Sequence, residues 1–285
     1  MSSCFSSREA SAPQDTLLGK TTVYLDRYQP QLLTPIPRIL GRSVLTGPLT
    51  FLGTDIWRLY EVTWLDEHGL PQVAAGEIWV PAVSPNIVES KSLKLYIVSL
   101  TQTVFKSLAD VKATIARDVS ACVGAEVTVH LQTIDTWSQP AQNFPGLILE
   151  TEDLKGRRFT DYEVNPDLLA FDKERQDVVS EVLVTHLMRS RCPVTGQPDF
   201  ASVQIAYEGQ AIDHGALLAY LVSFRQHQGF HEQCVERIFT DIQHRLSPRH
   251  LSVYGTFTRR GGIDISPWRS TESLLPCQIT RASRQ

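Results

Sequence analysis

No stretch of this chain approaches the ~18 consecutive apolar residues that a membrane-spanning helix needs, which excludes a protein crossing a bilayer on helices. An excess of basic charge is missing too. Lys and Arg number 27 against 31 Asp and Glu, a formal net charge of -4. That leaves no electrostatic case for binding nucleic acid or an anionic membrane surface. Cysteine is scarce and scattered: Cys4, Cys122, Cys192, Cys234 and Cys277 are odd in number, and no two have C-x-x-C spacing. Neither a zinc site nor a disulfide framework is suggested, so no metal is expected. A reducing cytoplasm is the natural compartment. The start, Met1-Ser2-Ser3-Cys4-Phe5, has neither a basic region nor an apolar core, so no signal peptide is expected. Finally, no G-x-G-x-x-G follows a strand pattern, so nothing points to a Rossmann site.

What is present reads as a tandem repeat. The 285 residues suffice for roughly two domains or one large one. Residues 1–50, rich in Ser, Pro and Leu, read as an N-terminal arm wrapped on the core, with a disordered start. Trp57 to Trp64 alternates as a strand, Asp66-Glu67-His68-Gly69 is a turn, and Val73 to Val80 completes a hairpin. From Ser90 the apolar residues Leu93, Tyr96, Ile97 and Leu100 have helical spacing. Ser107 opens a second helix with Leu108, Val111, Ile115 and Val119 on one stripe, and with Asp110 it resembles a capping box. Val127 to Leu131 is a strand, and another short strand is expected after Phe144. The order then recurs. Val182–Met188 and Val203–Tyr207 are strands. Asp213 caps a helix carrying Leu217, Leu218, Leu221 and Phe224. A further helix follows His231-Glu232 and stops at Pro248. Leu251–Thr258 is a strand, Gly261-Gly262 turns, and Ile263 begins the last strand. Tyr96-Ile97-Val98-Ser99-Leu100 also matches Tyr220-Leu221-Val222-Ser223-Phe224 at an offset of 124. The reading is an α+β chain with a first module over 51–155, a polar linker over 156–178 and a second module over 179–285.

Chemistry concentrates in Arg189-Ser190-Arg191-Cys192-Pro193-Val194-Thr195-Gly196-Gln197-Pro198-Asp199. Two prolines and a glycine shape this connection between strands. Beside two arginines the thiolate of Cys192, the nucleophilic form, would be favoured. The alternative is a buried structural thiol beside an ordinary turn. Comparing the halves sharpens the choice. The first hairpin turn has no cysteine. The Glu89-Ser90-Lys91 helix start corresponds to Asp213-His214, and the His231-Glu232 start corresponds to Lys106-Ser107. Each half carries polar groups that the other lacks, as a single site assembled from both would require. Singly, each group has a plainer role open to it. Glu89 and Glu232 suit helix N-termini, Lys91 and Lys94 a solvated face, His231 a cap, and Arg259-Arg260 a strand end.

Taken together, the residues resemble a known family. Glu89-Ser90-Lys91-Ser92-Leu93-Lys94-Leu95-Tyr96, the Cys192-to-Asp199 spacing, Phe230-His231-Glu232 and Arg259-Arg260-Gly261-Gly262 look like the NADPH-dependent 7-cyano-7-deazaguanine reductases, nitrile reductases of queuosine biosynthesis. The likeness runs from about Leu18 to the C-terminus and is to the long, two-module form. It implies tandem tunnelling-fold (T-fold) modules, each a four-stranded antiparallel sheet with two helices inserted after the second strand, in a homodimer. It implies that Cys192 forms a thioimide with the nitrile while Asp199 donates a proton, with His231 beside the reacting carbon. Val88, Glu89, Ser90, His231 and Glu232 would bind the deazaguanine substrate. Ser90, Lys91, Arg260 and Gly261 would hold NADPH. Two other classes share parts of the pattern: a cofactor-independent cysteine hydrolase or amidotransferase, and a non-catalytic purine- or pterin-binding protein.

Overall fold

The structure is a computed structural model that describes residues 25–47, 49–138, 140–154, 156–272 and 281–285. The disordered start expected for the arm, and Cys4 and Cys277, lie outside these residues. The arm contributes β1 (Pro35–Pro37) and α1 (Ile39–Arg42). The first half follows with β2 (Leu52–Leu65), β3 (Pro71–Pro81), β4 (Asn86–Val88), α2 (Ser90–Ser99), α3 (Leu108–Val123), β5 (Thr128–Thr133), β6 (Ala141–Gln142) and β7 (Leu147–Ile148). The second half has β8 (Val178–Arg191), β9 (Pro198–Gln210), α4 (His214–Val222), α5 (His231–Leu246), β10 (His250–Phe257), β11 (Ile263–Ser270) and β12 (Arg281–Ala282).

One eight-stranded sheet runs through both halves in the order β5-β3-β2-β11-β10-β9-β8-β7. The halves join where β11 pairs antiparallel with β2, from Ile263↔Leu59 to Ser270↔Leu52. Helices cover one face. There Leu93, Tyr96, Val111, Ile115 and Val119 pack on Trp57, Leu59, Ile78 and Val129, and Ile263 and Ile265 of the second half complete this core. Leu217, Leu221, Phe224, Val235, Ile238 and Phe239 form the other core over Val203, Ile205 and Val253. Each such side chain contributes about 1.5–3 kcal/mol by leaving water.

The repeat is physical as well as ordinal. The hairpin register slips between Leu59 and Val62 in the first half and between Thr185 and Met188 in the second. Tyr96 donates to Asp118 and Tyr220 to Asp241, each at 2.7 Å, tying the two helices of each half. The helix ends follow the sequence signals. Ser107 accepts from Asp110 N–H, Asp213 accepts from Ala216 N–H, and Ser247 turns left-handed just before Pro248. The arm is stitched down by β1 pairing with β4.

One expectation is corrected. The segment after Phe144 does form a strand, β7, but it pairs parallel with β8 at the far edge of the second half. The first half therefore sets only three of its strands side by side, β5, β3 and β2, and sends the fourth to the opposite edge of the large sheet. Phe144 explains the crossing: it is buried with Val184, Tyr254 and Trp268. These alternate along their strands with the helix-facing Leu183 and Val253, so Phe144 packs on the opposite sheet face. Gly146, at φ 133°, then lets the chain approach the Val182 carbonyl closely.

Candidate active site

The site lies over the β2–β11 junction, where the N-termini of α2 and α5 open on one cavity of about 290 Å³. Of the residues singled out from the sequence, Val88, Ser90, Lys91, Cys192, Asp199, His231, Glu232, Arg260 and Gly261 all line it. They come from four separate stretches of chain.

Cys192 sits at the start of the β8–β9 turn, half-buried. Its N–H donates to Gln197 O at 2.8 Å and its carbonyl accepts from Gly196 N–H at 3.0 Å, with Gly196 at φ 67°. The neighbouring arginines hold oxygens of the adjoining turns. Arg189 donates to Arg225 O, and Arg191 to Gly196 O and Gln226. Both alternate with Ser190 along the strand, and their guanidinium groups satisfy carbonyls on the surface. Arg191 N–H also donates to His227 O, and Gly229 N–H to Arg191 O. These bonds draw the entry to α5 alongside the cysteine turn.

Asp199, across the hairpin, is buried. Arg260 donates to its Oδ1 at 2.5 Å, and His231 Nε2 lies 3.5 Å from its Oδ2. Arg260 also reaches Gln197. Burial alone would raise the Asp199 carboxyl, but the hydrogen bond and charge of His231, with the Arg260 guanidinium, hold it below the ordinary range. These partners favour its ionised form.

His231 and Glu232 open α5. The His231 ring stacks on Phe257 with centroids 3.9 Å apart and planes within 6°. Its Nδ1 is buried without a partner, as is Oε1 of Glu232. Burial, with Asp55 nearby, pushes the Glu232 carboxyl up to about 8.

Glu89 behaves differently from its neighbours. Fully buried, it lies outside the lining of the cavity and caps α2, accepting from Lys91 N–H at 2.9 Å and Ser92 N–H at 2.8 Å. Its two oxygens fill the helix-cap role, each taking one backbone N–H. Burial pushes the thiols of Cys122 and Cys234 up to about 11 and about 12.

The two halves of the chain match two family profiles. Residues 24–131 match the one described as nitrile reductase, 7-cyano-7-deazaguanine-reductase N-term, and residues 198–274 match the QueF-like protein profile. The NADPH-dependent 7-cyano-7-deazaguanine reductase of Burkholderia orbicola (strain MC0-3) is 50% identical over 278 residues, 96% of this chain and 99% of the relative. That of Burkholderia lata is 52% identical over 277 residues, again 96% and 99%. The chain belongs to the 7-cyano-7-deazaguanine reductase family.

Within this reductase fold the cavity divides in two. Toward α2, Lys91, Lys94 and Arg260 gather with the helix N-terminus beside the Gly261–Gly262 turn. Gly261 has φ 61°, and a Cβ there would collide with Lys94. Cations, a helix N-terminus and a bare backbone together suit phosphate groups. The rest of the lining includes the apolar Trp57, Ile263 and Ile265 and, at the α5 entry, the residues of the two partnerless atoms. Sequence reading passed over Trp57 as a strand residue and Phe257 altogether. Nothing local marks either, because their roles depend on contacts made between strands and helices.

Proposed function

We propose that this chain reduces the nitrile of 7-cyano-7-deazaguanine to the primary amine of 7-aminomethyl-7-deazaguanine with NADPH, a step of queuosine biosynthesis, through a thioimide on Cys192. The observation that carries the reading is the pair His231 Nδ1 and Glu232 Oε1, buried and partnerless on the wall shared with Cys192 and Asp199. Buried polar atoms are nearly always hydrogen-bonded. A ligand with N–H groups on one ring edge completes Glu232, and its reacting substituent lies toward His231 and the thiol. Val88 and Ser90 flank this base from the α2 side, with Glu89 acting through the helix it caps.

A nitrile carbon is a weak electrophile, so covalent attack by sulfur splits a hard reduction into easier steps. The Cys192 thiol adds across the triple bond: sulfur bonds to carbon, and its proton ends on nitrogen. An ionised Asp199 suits both ends of that transfer, taking the proton from sulfur and delivering it to nitrogen. His231, held flat on Phe257, supports the carboxylate. NADPH, when bound, would supply hydride to the thioimide carbon and to the imine left when Cys192 departs as thiolate; two protons from solvent then complete the amine nitrogen and restore the thiol. Ser90, Lys91, Arg260 and Gly261 hold its phosphates. The apolar wall excludes water, which would otherwise hydrolyse the imine.

We read the architecture as two T-fold modules over 51–155 and 179–285, joined by 156–178 and preceded by the arm over 1–50. Its setting is a cytoplasmic homodimer that binds neither nucleic acid nor membrane. The outer edge of β5 supports pairing, since it ends the sheet with unpaired backbone groups that a second copy would cover.

Intact mass spectrometry after adding the nitrile without NADPH tests the reading. The expected result is a gain equal to the substrate mass on the wild type and none on Cys192→Ala. An unmodified wild type that still oxidises NADPH would remove the thioimide. A wild type that turns the nitrile over without NADPH would favour a hydrolase.

A further inference from the structure

Behind the Glu232 wall lies a buried cluster of charges that the chemistry above does not use. Asp55 on β2, Arg269 on β11, Glu236 on α5 and Arg38, just ahead of α1, are all buried. Arg38 lies 2.5 Å from Asp55 and 3.5 Å from Glu236. Arg269 lies 2.7 Å from each of them, and Arg42 of α1 is 2.8 Å from Glu236. Three guanidinium groups thus face two carboxylates. The cluster carries one positive charge more than its own acids balance, and unbalanced buried charge is costly. Another acid is close at hand: Glu232 precedes Glu236 by one helical turn and lies on the same face of α5. The cluster acts on it in opposite senses. Asp55 joins burial in pushing the Glu232 carboxyl up, while Arg38 and Arg269 draw it down.

We infer that this cluster sets the charge state in which Glu232 meets the base, with Arg38 and Asp55 as positioning residues of opposite effect. This rests on the reading of Glu232 as the group that takes the deazaguanine N–H edge. An ionised carboxylate accepts two N–H bonds, whereas a neutral carboxyl sets an O–H donor against one of them. Below its own titration point, Glu232 must therefore lose a proton as the base binds. Affinity then climbs with pH, about tenfold per unit, and levels once Glu232 is ionised in the free protein. The other groups near Glu232 are Glu236 and Cys234 on its own helix, with His231 beside it; Lys91, Lys94, Cys192, Asp199 and Arg260 line the same cavity. The N-terminal arm thereby becomes part of base recognition, through an arginine 198 residues from the glutamate it pairs with.

The test is calorimetric titration of 7-cyano-7-deazaguanine into Cys192→Ala protein, which cannot form the adduct, from about pH 6 to about pH 8.5. Asp55→Asn, Arg38→Met and Glu232→Gln are each added to that background. The parent affinity is expected to climb and level near the upper end. Asp55→Asn should level at lower pH. Arg38→Met should level at higher pH and bind several-fold more weakly at neutrality. Should either variant fail to fold, Arg42→Gln removes a cation from the more exposed side of the cluster and should shift the profile as Arg38→Met does. Profiles that move in the same direction, or losses with unmoved profiles, overturn the inference. If Glu232→Gln binds the base as tightly as the parent, the underlying reading of Glu232 fails instead.

Discussion

Asp199 shows how a single side chain can be placed for two tasks. Its carboxylate is shared between Arg260 and His231 and kept ionised by them. As a proton carrier it needs a group that can be protonated in passing, which an amide cannot supply. Asp199→Asn should therefore slow adduct formation by about 10²–10⁴-fold, the usual worth of such catalysis. Base affinity should change little, since the ring edge is held elsewhere. If Asp199 served only to fix the hairpin through its acceptor oxygens, Asn would nearly replace it. Rapid-quench measurement of the thioimide then decides, and an adduct rate close to wild type would exclude the proton-carrying role.

At the scale of the element, the entry to α2 carries a distinction that residue type alone leaves open. Glu89 was expected to touch the base, yet both its oxygens are on backbone N–H groups of its own helix. Asp is a strong N-cap residue, so Glu89→Asp should preserve the helix and keep base affinity within about twofold, well under the ~1–3 kcal/mol of an unmatched buried polar group. Glu89→Ala should cost about 0.5–2 kcal/mol of stability, as lost caps do. Calorimetry separates the roles: a large loss of base affinity in Glu89→Asp would restore direct contact. The entry to α5 contrasts with this. Gln233 accepts from Phe230 N–H, while the two polar side chains before it stay turned to the cavity.

For the whole molecule, the consequential feature is the continuous sheet. It sets the α2 entry of one half beside the α5 entry and cysteine turn of the other, so neither half holds the site alone. Phe144 helps close this arrangement from the opposite face. Phe144→Ala should lower stability by about 3–5 kcal/mol, the range for large aromatic truncations in a core. The base affinity of the folded fraction should remain, because the site is on the helix side. Urea unfolding followed by base titration checks both, and a loss under about 1 kcal/mol would mean that the crossing is held by other contacts.

Sequence alone determined the order of elements, their caps and turns, and singled out many of the residues that line the candidate site. Helical periodicity, strand alternation and the signals at Ser107, Asp213, Gly261 and Pro248 act between residues a few positions apart, so they can be read in one dimension. The polar groups that differ between matching halves marked the site for the same reason. What the tertiary structure decided depends on which distant groups meet. The strand after Phe144 had the right type and the wrong partner, because pairing is chosen by the face on which Phe144 can be buried. Glu89 and Glu232 are both acids at helix starts. One caps its own backbone, and the other is left open over a buried charge cluster. Arg38, Asp55, Glu236 and Arg269 carry no local signal at all. Their meaning arises only where the arm, two strands and α5 bring charges together out of water, and there each charge depends on all the others.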